Sequence, residues 1–195
     1  MSELSLVQVL SRANPSQSVE DLAKQNLMPD QAFAALVGNI AQSCLHRVLT
    51  VAHSSASTSG AVLQDLGAWD AKSALSLGIP TATGKGKTYA AALFGDQAMV
   101  ATWVRRMVTD LDLDREKAGQ LVPLVLTWVL ASTTELYGLA EQQSDSQPQQ
   151  PEKQSWFSGM VSAFSWEIRD ERPDDLIVCL LDGKLSVSQT ETQAA

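Results

Sequence analysis

Residues 110–131 have the sequence Asp110-Leu-Asp-Leu-Asp-Arg-Glu-Lys-Ala-Gly-Gln-Leu-Val-Pro-Leu-Val-Leu-Thr-Trp-Val-Leu-Ala131, in which an acidic turn leads into a long apolar stretch. Asp114 is a suitable N-cap, because its carboxylate accepts hydrogen bonds from the free N–H groups of a first helical turn. Glu116 adds negative charge at the same end, where the helix dipole favours it. The sequence therefore predicts a helix that begins directly after Asp114.

This predicted helix is apolar on every side, which is the pattern of a core helix or a membrane span. One face has Ala118, Leu121, Val122, Val125 and Val129, and the opposite face has Leu124, Leu126, Trp128 and Leu130. A span needs about 20 consecutive apolar residues, whereas Pro123 interrupts this stretch and Ser132 ends it. We therefore predict a buried core helix that bends or restarts at Pro123, because proline removes a backbone donor and crowds the preceding turn.

A second amphipathic segment, residues 96–109, precedes this helix and predicts a helix-turn-helix pair with it. Its apolar positions at helical spacing are Val100, Trp103, Val104, Met107 and Val108. A shift of 85 positions (121 minus 36) aligns residues 18–48 with residues 104–131, so that Leu36 falls on Leu121. Each copy predicts a short helix, a tight turn and a long helix. Both a true internal repeat and a coincidence between two amphipathic helix pairs explain this pattern.

The whole-chain composition limits the class of protein. The chain has 195 residues, of which 45% are apolar, so one domain with a packed core is expected. The net charge of −8 opposes non-specific binding to nucleic acid or an anionic membrane. Cys44 and Cys179 lie in apolar runs and predict buried thiols in a reducing compartment. Residues 1–6 lack the features of a secretory signal, so we expect a cytoplasmic protein.

The chain divides into a helical domain at 1–140, a polar linker at 141–155, a segment at 156–189 and a tail at 190–195. The linker has no apolar side chain that would order it. Within 156–189, aromatic residues come first and a β-hairpin follows. The predicted fold class is therefore mainly all-α, with two helix-turn-helix-like units and a small C-terminal hairpin or meander.

The hairpin prediction depends on the β-rich run Leu176 to Leu181. Asp182-Gly183 is a type I′ turn signal, and Lys184 to Val187 is the expected return strand. Because an isolated hairpin is marginally stable, three arrangements remain open. The hairpin packs on the helical core, pairs with a third strand at 164–169, or joins the sheet of a partner.

Residues 78–88 are predicted to form a loop, followed by a short helix from Tyr89 to Phe94. The loop contains Gly84, Lys85, Gly86, Lys87 and Thr88, which resemble the end of a Walker A phosphate loop and are candidate anion-binding residues. The first position of that motif should be glycine or alanine and is Thr81 here, and no convincing strand precedes it. The alternative is a solvated basic loop, or weak anion binding at the start of the following helix.

Two further patterns partly match a metal-binding or catalytic motif, but neither has all the residues that such a motif requires. Asp110, Asp112 and Asp114 have the spacing of a calcium loop, but that motif requires glycine at Arg115 and glutamate at Leu121. The interpretation is a solvated acidic turn with a cap. Cys44 and His46 lie two residues apart, so they point to different faces of a helix, and His53 is the remaining histidine. These patterns predict neither a metal site nor a catalytic residue.

DNA binding is the third alternative, because basic residues lie around the second helix-turn-helix. They are Arg105, Arg106, Arg115 and Lys117. A DNA-reading helix enters the major groove with its N-terminal residues. Here those residues adjoin four carboxylates and precede a helix that is apolar on nearly every side, so we expect no nucleic-acid partner.

Two stretches, Leu93-Phe-Gly-Asp-Gln97 and Leu111-Asp-Leu-Asp-Arg-Glu-Lys-Ala-Gly-Gln-Leu-Val-Pro-Leu-Val-Leu126, resemble the YidB-like family of bacterial domains. The resemblance covers about residues 93–131, with 18–48 as a second copy. It implies a small all-helical, homeodomain-like domain. The chain lacks the glycine-rich loops common in that family, and the family supplies no catalytic residues, so the resemblance implies a fold and no activity.

Together these patterns predict a non-enzymatic helical module that binds another protein or assembles with itself, without a cofactor and without a membrane. The candidate partner-binding residues are aromatic or apolar and follow the linker: Trp156, Phe157, Met160, Phe164 and Trp166. An amphipathic helix in a groove and strand addition are both modes by which such a segment binds a partner. The alternatives are nucleotide or phosphate binding at Gly84–Thr88 and DNA binding.

Overall fold

The computed structural model describes residues 5–14, 19–26, 30–95, 98–144, 164–166, 176–182 and 185–187. Within them the protein is mainly helical, which confirms the predicted class. The helices are α1 (Leu6–Ala13), α2 (Val19–Gln25), α3 (Asp30–Ser55), α4 (Ser59–Asp65), α5 (Ala71–Ser76), α6 (Ile79–Phe94), α7 (Ala98–Leu111), α8 (Arg115–Ser144) and α9 (Leu176–Leu181). A 3-10 turn, Ala68–Asp70, precedes α5, and two strands are β1 (Phe164–Trp166) and β2 (Leu185–Val187).

Helix α8 is the centre of the structure, as predicted. Every residue from Leu121 to Thr134 is buried, and α1, α3, α5, α6 and α7 all pack against it. By length and composition Arg115–Gly138 is able to cross a membrane, but 89% of its apolar window is buried inside the protein. Burial on all sides is the pattern of a core helix.

The start of α8 has the predicted cap. The backbone N–H of Lys117 donates to Asp114 Oδ1 over 2.9 Å, and Asp112 reverses the chain before it with a left-handed φ of 51°. Helix α8 then continues through Pro123 as one element, so the expectation that it restarts there is wrong. Packing on all sides holds the helix together where proline removes one hydrogen bond.

The two predicted helix-turn-helix pairs are present as α2–α3 and α7–α8, and the helices within each pair contact one another. The pairs are also joined, because Lys117 Nζ donates to the backbone oxygen of Asn26 at the end of α2 over 2.9 Å. A common origin of the two pairs stays a hypothesis.

The predicted loop at 78–88 is wrong, because these residues form the first part of α6. Gly78, with a φ of 105°, precedes the helix, and Pro80 lies in its first turn, where a missing N–H costs nothing. Ala82, Gly86 and Ala90 recur every four residues and are buried, and α6 packs against α8. Small side chains let two backbones approach closely, so this burial outweighs the low helix propensity of glycine.

The predicted C-terminal hairpin is also wrong, because Leu176–Leu181 is helix α9 rather than a strand. Leu176, Ile177, Cys179 and Leu180 are buried, which is the spacing of one helical face, and α9 packs on α3. Strands β1 and β2 pair antiparallel with Ser165 opposite Ser186. Helix α8 extends to Ser144, four residues into the predicted linker, and 145–155 lie outside the described residues.

Candidate functional site

A groove lies between α6 and α7 with α8 as its floor. Both helices pack on α8 but make few contacts with each other. They meet at one end, where the rings of Phe94 and Trp103 form an edge-to-face pair with centroids 5.2 Å apart. The groove has a volume of about 740 Å³, which is within the range of small-molecule and peptide side-chain pockets. Its lining residues are Lys87, Ala90, Ala91, Val100, Ala101, Val104, Arg105, Val108, Arg115, Gly119 and Pro123.

Helix α7 supplies the apolar wall of the groove because it has two apolar stripes. Trp103, Met107 and Leu111 form the first and are buried in the core. Val100, Val104 and Val108 form the second, line the groove and remain only half-buried. β-Branched side chains have few rotamers on a helix, so these valines form a stiff apolar wall that the protein itself does not cover fully.

The floor of the groove combines apolar surface with a backbone acceptor. Pro123 is buried and Gly119 is half-buried, and both line the groove. Proline has no N–H, so the carbonyl of Gly119 lacks its usual hydrogen bond from the residue four positions on.

Three cations line the groove with this apolar surface, one from each helix: Lys87 of α6, Arg105 of α7 and Arg115 of α8. All three are exposed, and none of the described residues that line the groove is acidic. Among the described residues, ion pairs within 4.0 Å join Lys72 to Glu135 and Lys85 to Asp70, and none includes a groove cation. The groove therefore has a positive rim on a chain with a net charge of −8.

The structure separates the five predicted anion-binding residues. Gly84 is exposed, Lys85 Nζ lies 3.9 Å from Asp70 Oδ2, and Gly86 is buried against α8. Thr88 Oγ1 donates to the carbonyl of Gly84 over 3.4 Å. A phosphate loop needs several free backbone N–H groups that converge on the anion. Inside α6 those groups serve the helix, so the predicted loop is absent. Anion binding by these residues stays a prediction, and of the five Lys87 lines the groove.

The predicted partner-binding residues Trp156, Phe157 and Met160 lie outside the described residues. Phe164 and Trp166 lie in β1, where the structure describes only the backbone. Their role in binding a partner stays a prediction.

The remaining candidate residues are the three aspartates before α8 and the cysteine and two histidines of α3. Asp110, Asp112 and Asp114 are exposed, and Asp114 is engaged as the cap of α8. Cys44 is buried, and burial raises the pKa of its thiol to about 12. His46 and His53 are exposed on α3. Within the described part of the chain, no three His, Cys, Asp or Glu residues are placed to hold a metal ion.

Among the described residues that line the groove, lysine and arginine are the charged side chains and the rest are apolar or glycine. A second depression of about 550 Å³, between α1, α2 and α3, has Glu20 and no cation among its lining residues. Sequence reasoning missed the groove although its signal was present. The apolar face of α7 is wider than its buried stripe of Trp103, Met107 and Leu111. It also includes Val100, Val104 and Val108, and Arg105 adjoins them.

Comparison with protein-family models, curated proteins and solved structures finds no match for this chain. The resemblance to the YidB-like family therefore stays a hypothesis.

Proposed function

We propose that this protein is a non-enzymatic, cytoplasmic binding module whose groove accepts one face of an amphipathic helix from a protein partner. The observation that supports this proposal best is that α6 and α7 lie apart above α8, which leaves Val100, Val104 and Val108 half-buried. Helix-in-groove recognition uses such a surface, with apolar anchors at helical spacing.

The dimensions fit this mode of binding. From Val100 to Val108 the α7 wall rises about 12 Å, at 1.5 Å per residue, which is a little over two helical turns. A partner helix therefore presents two or three successive anchors to the wall.

The alternatives have less support. A phosphate-binding function has less support because residues 84–88 lie inside helix α6. Of the five candidate anion-binding residues, Lys87 lines the groove. A DNA-reading function needs an exposed helix, whereas α8 is buried from Leu121 to Thr134. Cys44 and Cys179 are both buried thiols, which fits a reducing compartment.

A selection of helical peptides from a displayed library, on the immobilised full chain, tests the proposal. Ala101 is exposed and lines the groove, while its neighbour Thr102 is exposed and does not. We expect selected peptides to lose binding to Ala101→Trp, which fills the groove, and to keep it on the matched control Thr102→Trp. If no peptide is enriched, or if enriched peptides bind Ala101→Trp as tightly as the unmodified chain, the proposed function is wrong.

A further inference from the structure

We infer that the partner helix is acidic, with carboxylates that flank its apolar face and meet the three groove cations. This inference rests on the proposed function and adds the sign of the charge and its position around the apolar face.

The charge of the groove departs from that of the whole molecule. The chain has 22 acidic and 14 basic residues, yet the described lining of the groove has three cations and no acid. Asp112, Asp114 and Glu116 precede or follow Arg115 in sequence, but none of them lines the groove. Like charges in an interface suppress wrong partners, and complementary charges fix orientation and speed association.

The position of the cations also matters. Each wall and the floor supplies one cation, so the basic side chains come from all three helices that line the groove with the half-buried valines. A helix that places its apolar side chains against Val104 brings its flanking residues towards Lys87 on one side and Arg105 on the other. Arginine is suited to this role, because its planar guanidinium binds a carboxylate with two parallel hydrogen bonds.

Other occupants fit these features less well. Nucleic-acid backbones need a broad cationic and wet surface, whereas the centre of this groove is formed by valine, alanine and proline. A basic amphipathic helix meets three like charges. A small anionic amphiphile shares the required chemistry, so the experiment includes one.

The experiment uses the full chain and three synthetic peptides of about 18 residues, because isolated helices shorter than about 12–15 residues are marginal in water. All three have the same leucine face at helical spacing, and their flanking positions are glutamate, glutamine or lysine. Binding is measured by fluorescence anisotropy at low and high salt, and decanoate serves as the small anionic amphiphile.

We expect the glutamate peptide to bind about tenfold more tightly than the glutamine peptide. Each exposed ion pair typically contributes about 1.4- to 5-fold in affinity, and the factors of the pairs with the three groove cations multiply. High salt should remove most of that difference, since the screening length falls to about 3 Å at 1 M. The lysine peptide should bind most weakly of the three.

Two pairs of matched variants locate the effect. Arg105→Gln and Lys87→Gln remove groove cations, while Arg106→Gln and Lys85→Gln remove exposed or half-buried neighbours that do not line the groove. We expect each groove variant to weaken binding of the glutamate peptide about two- to fivefold, and each control variant to leave that binding unchanged. Circular dichroism checks that all four variants keep their helices.

The outcomes separate the two proposals. If the glutamine peptide binds the groove as tightly as the glutamate peptide, or if the control variants weaken binding as much as the groove variants, the charge inference is wrong and the proposed function stands. If none of the peptides binds, both are wrong. If decanoate binds with the same dependence on Arg105 and no peptide does, the site belongs to a small amphiphile and both proposals fall.

Discussion

Gly86 of α6 lies directly against the backbone carbonyl of Pro123 in α8, so closely that a Cβ atom on Gly86 would overlap the carbonyl oxygen and carbon. One turn away, Thr127 Oγ1 donates to the carbonyl of Ala82 over 2.7 Å. The two helices therefore meet backbone to backbone at this point, and residue 86 has no room for a side chain.

Gly86→Ala should lower the free energy of unfolding by about 1–3 kcal/mol, because overpacking of a close contact outweighs the roughly 1 kcal/mol that alanine adds to helix propensity. Gly84→Ala is the matched control. Gly84 is exposed in the same helix, and nothing lies within 4 Å of an added Cβ, so this variant should be as stable as the parent or up to about 1 kcal/mol more stable. Urea denaturation measures both. Equal stability of the two variants would contradict the close contact.

Asp114→Ala should cost about 1 kcal/mol of stability, since the N–H of Lys117 loses its acceptor at the start of α8. Asp114→Asn should retain most of it, because asparagine caps helices as well as aspartate does. Thermal unfolding followed by circular dichroism compares them. A large loss in Asp114→Asn would point to a role for the negative charge beyond the cap.

Lys117→Met should loosen α2 more than the rest of the molecule. The half-buried Lys117 donates to Asn26 O at the end of α2, and a typical hydrogen bond contributes about 0.5–1.5 kcal/mol. Methionine keeps the apolar stem. Amide hydrogen exchange should become faster in α2 and stay unchanged in the centre of α8, whereas Lys24→Met, at an exposed position of α2, should change neither. Uniform acceleration would show that the bond acts on global stability.

Tyr89 should remain protonated well above the usual pH range for tyrosine. Burial, and secondarily the negative charge of Asp70, raises its pKa to about 12, and its hydroxyl donates to Gly67 O over 3.0 Å. The unfolded chain ionises near pH 10, so the folded state binds more protons between the two values. This contribution to stability is complete below about pH 10 and is lost as the pH rises through about 12.

Tyr89→Phe should therefore flatten the fall in stability between pH 10 and 12, as measured by denaturant unfolding at several pH values. Cys44, whose pKa burial also raises to about 12, keeps part of the fall in the variant. An unchanged pH profile would show that Tyr89 ionises as easily in the folded protein as in the unfolded chain.

The helices that sequence reasoning found are those whose evidence is local. The Asp114 cap, the apolar stretch of α8 and the spacing on α7 are visible in single segments, and the structure confirms all three. The prediction of a loop at residues 84–88 was wrong because of a contact between distant parts of the chain. Glycine is required at position 86 because its backbone packs against Pro123 on another helix. Composition alone favours a loop there, and tertiary packing overrides it.

The error at Leu176–Leu181 has a similar origin. Leucine, isoleucine and valine favour strands when a half-buried pleated surface is available, but the surface offered here is α3, and a helical face covers it. The groove was missed for a different reason. Periodicity shows that Val100, Val104 and Val108 belong to an apolar face, but it does not show which apolar residues the core leaves half-covered.

The guanidinium of Arg47 on α3 has a consequence for the groove, since its Nε donates to Leu93 O near the end of α6 over 2.6 Å. Together with the contacts at Gly86 and Ala82, this bond fastens α6 at both its middle and its end. The opposite wall, α7, packs on α3 and α8. The paired rings of Phe94 and Trp103 join this fixed end of α6 to α7, so the groove is closed at one end by an aromatic contact that Arg47 helps to hold in place.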